Sequence, residues 1–206
     1  MEDAILVDAG TGNLHSVFNA LKSLGYSIRV SSDPKDLAYP NRVILPGVGA
    51  FGRFMEGLTT RRLVEPVQAS VKRGDPLLGI CVGMQALFEY SEELGRHAGL
   101  SILNGCVIRF PEMPGLKVPL TGWNQLWPVK PIPILKDIAP GEYAYFNHSY
   151  YCAPENKEDC AAMTDYGFLF TSVAQRGAVV AVQFHPEKSQ KVGLQMLKNF
   201  MEMTND

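Results

Sequence analysis

The sequence predicts an α/β fold: a mostly parallel central sheet with helices on both faces and an antiparallel extension. Three observations carry this expectation. Short apolar runs alternate with amphipathic stretches through the first half of the chain, which is the pattern of repeated strand, helix, strand units. The second half changes to short strand-like pieces separated by Pro and Gly, the pattern of antiparallel strands. A composition of 46% hydrophobic and 19% charged residues suits a chain that buries a core, and 206 residues are enough for one domain spanning 1–206.

The elements follow in order. Ala4 to Val7 is a continuous apolar run and reads as a buried strand. Leu14, Val17, Phe18, Leu21 and Leu24 recur at helical spacing, and Gly25 ends that helix. Ser27 to Ser31 reads as a second strand and Arg42 to Leu45 as a third, ending at Pro46-Gly47. Leu63 to Val71 is part of a helix, and Leu77 to Ile80 is the next strand. The run from Met84 to Tyr90 reads as helical. In the second half, strands are expected at Cys106 to Phe110, around Trp123, and at Glu142 to Phe146, Leu169 to Val173 and Ala178 to Phe184. The proline-rich stretch from Phe110 to Pro140 is otherwise irregular loop. A last helix starts near Ser189, with Val192, Met196, Phe200 and Met203 as its apolar stripe.

Charge and cysteine usage narrow the function. The formal net charge is -2 and no dense Lys/Arg block occurs, so the electrostatic footprint of a nucleic-acid binder is missing. No apolar run approaches the roughly 18 residues of a membrane span. Met1 to Gly10 carries Glu2 and Asp3 in place of a basic leader, which predicts a cytoplasmic protein. Four cysteines with irregular spacing fit neither a disulfide framework nor a metal site. Cys152 and Cys160, with no histidine between them, match no common zinc spacing. Gly10-Thr11-Gly12 begins like a dinucleotide fingerprint, but His15 stands where the third glycine is needed, so a turn is the better reading.

Three segments carry chemistry. In Gly79-Ile80-Cys81-Val82-Gly83 a cysteine sits between glycines where a strand gives way to a helix. Such a strained turn exposes a nucleophile and needs small neighbours, and the amino end of the following helix favours the reactive thiolate. A lone cysteine is more often a small buried apolar residue; the flanking glycines argue against that here. After the strand ending at Phe184 come His185, Pro186 and Glu187. In extended backbone residues i and i+2 share a side, so Glu187 reaches the ring nitrogen turned away from the thiol and fixes the tautomer. Pro46-Gly47-Val48-Gly49 ends the third strand, and its glycines let a peptide N–H turn inward opposite the amide of Val82, as an oxyanion hole requires.

Together with Gly-Ile-Cys-Val-Gly-Met-Gln and Gln-Phe-His-Pro-Glu-Lys-Ser, this order of segments resembles the triad, class I glutamine amidotransferases, whose fold is flavodoxin-like. Gly10-Thr11-Gly12-Asn13-Leu14, Gly122-Trp123-Asn124 and Tyr145 to Tyr150 resemble, within that class, the glutaminase subunits of imidazole glycerol phosphate synthases. The resemblance covers nearly the whole chain. It implies that Cys81 is the nucleophile, His185 the acid and base and Glu187 its orienter, with Val48, Gly49 and Val82 building the oxyanion hole. Gln85, Glu93, His148, Ser149 and Tyr150 match positions that surround glutamine. Asn13, Trp123, Tyr145 and Lys188 match positions near the synthase interface. No metal or organic cofactor is implied. The implied partner is a barrel-shaped cyclase subunit, in a heterodimer that uses the ammonia for histidine biosynthesis.

Two positions depart from the family pattern. Leu120 stands where many members carry His, and Asn147 where an aliphatic residue is common. The competing readings are a paralogue feeding ammonia to another synthase, such as one modifying a sugar for surface polysaccharide; a hydrolase or peptidase using the same elbow; and a silent regulatory or scaffold module. The intact triad speaks against the silent module.

Overall fold

A computed structural model describes residues 2–11 and 13–203. Its elements run β1 (Ala4–Val7), α1 (Leu14–Ser23), β2 (Ile28–Ser31), β3 (Val43–Gly47), α2 (Phe51–Thr60), α3 (Val64–Arg73), β4 (Leu77–Cys81) and α4 (Val82–Ala86). They continue β5 (Tyr90–Ser91), β6 (His97–Ala98), β7 (Gly105–Arg109), β8 (Leu120–Pro128), β9 (Glu142–His148), β10 (Tyr150–Pro154), β11 (Cys160–Asp165), β12 (Leu169–Arg176), β13 (Val179–Val182) and α5 (Gln190–Met201).

One nine-stranded sheet runs in the order β2-β1-β3-β4-β13-β12-β11-β8-β9. Its first five strands are parallel, and the rest join antiparallel. The parallel strands β1, β3, β4 and β13 are buried at every residue, so their apolar runs are covered on both faces. Helices supply the cover: α1 lies against α5, and α2 against α4. The helix stripe expected at the C-terminus forms as Val192, Met196 and Phe200, while Met203 lies beyond the helix end and is buried all the same.

Three expectations need correction, and some elements were not anticipated. Cys106 to Phe110 was expected in the extension of the main sheet, but β7 belongs to a second sheet of order β10-β7-β5-β6. Its antiparallel register with β10, Tyr150 opposite Arg109 through Pro154 opposite Gly105, takes its backbone groups instead. The run from Met84 to Tyr90 is helical only to Ala86. The next carbonyls are captured from outside the helix: Leu100 N–H donates to Ala86, Ile102 and Leu103 N–H to Leu87, and Ser101 N–H to Phe88. Tertiary hydrogen bonds thus override a helical pattern, and Tyr90 becomes a strand residue.

Helix α2 and strands β10 and β11 were not read from the sequence. Phe51, Phe54 and Leu58 are the buried stripe of α2, a legible helical spacing, but Gly52, Gly57, Thr59 and Thr60 lower its propensity. Gly57 is there because a Cβ would strike the Ala9 carbonyl. Finally, the backbone after β13 is not extended through Glu187: Pro186–Lys188 is a 3₁₀ turn. No helix among the described residues is long and apolar enough to cross a membrane.

Candidate active site

Strands β3, β4 and β13 are adjacent and parallel, with Gly47 level with Cys81 and Val182 level with Ile80. Their carboxyl ends therefore deliver three loops to one place, the expected position of a site in a parallel sheet. These loops are the three segments singled out in the sequence.

Cys81 takes φ 54° and ψ −110° between β4 and α4. That conformation is rare for a residue with a side chain, and such strain collects at functional positions. The flanking glycines make it possible. A Cβ on Gly79 would lie 2.9 Å from the Gly83 carbonyl oxygen, and one on Gly83 would overlap the Leu45 carbonyl of β3. The elbow is thus packed directly onto the strand that ends in Pro46-Gly47. With α4 only five residues long, the helix end contributes less to the sulfur's surroundings than the sequence suggested.

His185 contributes more. Its Nδ1–H donates to Glu187 Oε1 at 2.9 Å, which leaves Nε2 for the Cys81 sulfur. The contact is as expected but its cause differs: the 3₁₀ turn, not extended backbone, folds Glu187 back under the ring. Both side chains are buried, and Glu187 Oε2 has no hydrogen-bond partner among the described residues. Burial works against a charged His185, yet its hydrogen bonds to Cys81 and Glu187 win and push the imidazole up to about 10. A charged imidazolium beside a sulfur is the setting in which a cysteine reacts as thiolate. The main chain of His185 is held as well: its N–H donates to the Tyr145 carbonyl at 2.9 Å, and Ser189 Oγ donates to the His185 carbonyl at 2.7 Å and accepts the Tyr145 N–H at 3.0 Å.

A cavity of about 460 Å³ opens over Cys81. Val48, Gly49 and Val82, the three residues expected to form the oxyanion hole, line it together with Cys81 and His185. Gly49 has φ +87°, which only glycine adopts freely. Gln85, Glu93, His148, Ser149 and Tyr150 also line the cavity. Glu93 Oε2 accepts the Phe51 N–H at 2.6 Å and so caps α2, which has no cap from Ala50.

His148 is built differently from His185. Its Nδ1–H donates to the Tyr150 carbonyl at 2.7 Å, and the ring packs among Phe110, Phe146 and Phe170. Burial lowers it to about 3, so it is neutral, with Nε2 sealed from solvent and unpartnered among the described residues.

The four residues expected at an interface divide. Asn13 and Lys188 line the cavity. Trp123 and Tyr145 pair across β8 and β9, with ring centroids 5.9 Å apart, and Lys188 Nζ lies 5.8 Å from the Tyr145 ring. Trp123 remains 43% exposed. Gly10 forms the expected turn, its N–H bonded to Asp8 Oδ1 at 2.7 Å; Gly12 lies outside the described residues. Among the described residues no cluster of three His, Cys, Asp or Glu side chains could hold a metal.

Three neighbours of the site had no assigned role. Pro119 and Asn147 line the cavity, and Asn147 Oδ1 accepts from Thr121 Oγ at 3.1 Å. Gln183 lies fully buried with its Nε2 3.9 Å from the Cys81 sulfur. Its signal was legible: it is the one polar residue in the run from Val179 to Phe184. Leu120, named above as a departure from the expected pattern, is buried directly across from His148.

Residues 5–203 match the model of the class-I glutamine amidotransferases. The chain belongs to that family. It is 48% identical over 204 residues to the imidazole glycerol phosphate synthase subunit HisH of Syntrophotalea carbinolica, covering 97% of this chain and 99% of that one. The HisH subunit of Aquifex aeolicus is 46% identical, over 95% and 94% of the two chains. Among solved structures, PurLQS from Thermotoga maritima shares the fold with a TM-score of 0.75 at 16% identity, over 97% of this chain and 98% of that chain. A crystal structure of a glutamine amidotransferase gives 0.75 at 20% identity, over 96% and 97%. This class-I amidotransferase fold is the mostly parallel α/β architecture that the sequence predicted.

Proposed function

We propose that residues 1–206 form one glutaminase domain, the ammonia-producing subunit of an imidazole glycerol phosphate synthase in histidine biosynthesis. The observation that carries this reading is His185 held between Cys81 and a buried Glu187 at the floor of a cavity with room for glutamine. Its support is the near full-length similarity to HisH subunits.

In the reaction, Cys81 sulfur attacks the side-chain carboxamide carbon of glutamine. Amides of the Val48–Gly49 turn and of Val82 receive the oxyanion. The C–N bond then breaks as His185 gives its proton to the departing ammonia, leaving a γ-glutamyl thioester. His185, now neutral, takes a proton from water, whose hydroxyl displaces the sulfur and releases glutamate. Glu187 keeps its hydrogen bond to Nδ1–H and steadies the imidazolium. The Glu93 carboxylate suits the substrate's ammonium, while Gln85, Ser149, Tyr150 and neutral His148 shape the remainder of the pocket. No cofactor enters any step. Catalysis by a free thiol suits a reducing compartment, and we place the enzyme in the cytoplasm.

We assign Asn13, Trp123, Tyr145 and Lys188 to the face that meets the cyclase subunit, through which ammonia would leave. The test is glutamate release from glutamine by the chain alone and with a cyclase subunit plus its nucleotide ligand, with Cys81→Ala as blank. Strong stimulation that disappears in the variant is expected. Cys81-dependent turnover that no cyclase subunit stimulates would point to a different synthase.

A further inference from the structure

Gln183 is fully buried, and the orientation of its amide is forced from a distance. The Tyr150 carbonyl can only accept. It takes the His148 Nδ1–H at 2.7 Å and the Gln85 Nε2–H at 3.0 Å. Gln85 therefore shows its NH₂ end to its neighbours, and that same group donates to Gln183 Oε1 at 3.3 Å. A Gln183 amide turned the other way would set two NH₂ groups against each other. A second donor fixes the same choice: Cys152 Sγ–H donates to Gln183 Oε1 at 3.8 Å. Burial raises the Cys152 thiol well above its ordinary range, so it keeps this proton. What remains for Cys81 is the Gln183 NH₂, 3.9 Å from the sulfur.

We propose that Gln183 is a positioning residue of the reaction, whose amide N–H, aimed by Gln85 and Cys152, holds the Cys81 sulfur in place beside the His185 ring. The inference rests on Cys81 being the nucleophile. The sulfur then has the Gln183 amide as an oriented donor in addition to the neighbouring His185 ring. Because the Tyr150 carbonyl starts the chain, a shift of the 148–150 segment that lines the cavity is transmitted to the nucleophile through Gln85. A donor to a sulfur that carries charge stabilises it more than a neutral pair would. Removing the donor should therefore act on thiolate reactivity before it acts on substrate binding. The titratable groups around this network are His185 with Glu187 behind it, Cys152 with Cys106 beyond it, and neutral His148.

The experiment is the pH dependence of Cys81 alkylation by iodoacetamide in the full chain, followed on the Cys81 peptide, with Cys81→Ala as blank. Gln183→Met keeps the volume and removes the amide. It should alkylate about fivefold more slowly at neutral pH, the effect of one ordinary hydrogen bond, with its profile displaced to higher pH. Gln183→Glu, nearly isosteric, should be slower still, because an oxygen replaces the donor beside the sulfur. Cys152→Ala should cost about twofold, since Gln85 still aims the amide. With the cyclase subunit present, kcat should fall while KM stays unchanged.

A folded Gln183→Met or Gln183→Glu protein whose alkylation profile matches the parent would overturn the proposal and leave Gln183 a packing residue. Cys152→Ala carries the test if neither folds: an unchanged profile there also counts against the relay. Alkylation needs neither glutamine nor a partner. Failure of the glutaminase reading would show instead as absent glutamate release from a parent protein with a reactive Cys81.

Discussion

The turn around His185 and the strand end around His148 form two walls of one cavity, and they treat the same side chain in opposite ways. Both imidazoles are buried, and each has Nδ1 bonded to an oxygen. At His185 that oxygen belongs to a carboxylate and a thiol faces the other nitrogen, so the ring is held charged to about 10. At His148 the oxygen is a neutral carbonyl and the other face is aromatic, so burial prevails and the ring is neutral down to about 3. Burial alone does not fix a histidine's role; the charge of its partner does. One wall moves protons, and the other sets a carbonyl in place.

The largest expected effect removes the charged wall. His185→Ala should lower glutaminase kcat by about 10⁴-fold or more, and Glu187→Gln by about 10³-fold, through loss of the correct tautomer. His148→Phe should keep most of kcat and raise KM by about fivefold, the cost of one freed carbonyl hydrogen bond. A kcat loss in His148→Phe equal to that of His185→Ala would break the comparison.

A finer effect lies in stability against pH. The unfolded chain protonates His148 near 6.5 while the folded protein resists to about 3. Its contribution is therefore complete above pH 6.5 and is lost as pH falls from 6.5 towards 3. His185 acts on the other side: its contribution is complete below pH 6.5 and is lost as pH rises towards about 10. Denaturant titrations should show His148→Phe flattening the acid limb and Glu187→Gln the alkaline one. An acid limb unaltered in His148→Phe would mean that the imidazole is not held neutral.

Much of the site was legible in the sequence because its chemistry demands residues that stand out locally. Cysteine between glycines, His-Pro-Glu after a strand and Pro-Gly-Val-Gly at a strand end each announce an unusual backbone. The parallel half of the fold was legible for a related reason: β1, β3, β4 and β13 are apolar at nearly every position and need no knowledge of their neighbours. The second sheet was not, since β5 and β6 are two-residue strands, too short to carry a pattern, that exist through their pairing with each other and that of β5 with β7. The early end of α4 follows the same rule, as do the cap that Glu93 supplies to α2 and the 3₁₀ turn under His185. Each depends on a partner far away in the chain, or on geometry that spacing alone does not encode.

The packing of Gly83 beneath the Leu45 carbonyl has a consequence for engineering. Nucleophile turn and oxyanion turn share one floor, so neither can be displaced without tilting the other, and a methyl group at Gly83 would act as a wedge between them. The portable unit of this chemistry is therefore not the five residues around Cys81. It is the pair of neighbouring strands, β3 with β4, carrying both turns in fixed register. A scaffold that offers only a strained cysteine would own a reactive thiol and no means of stabilising the charge that thiol creates.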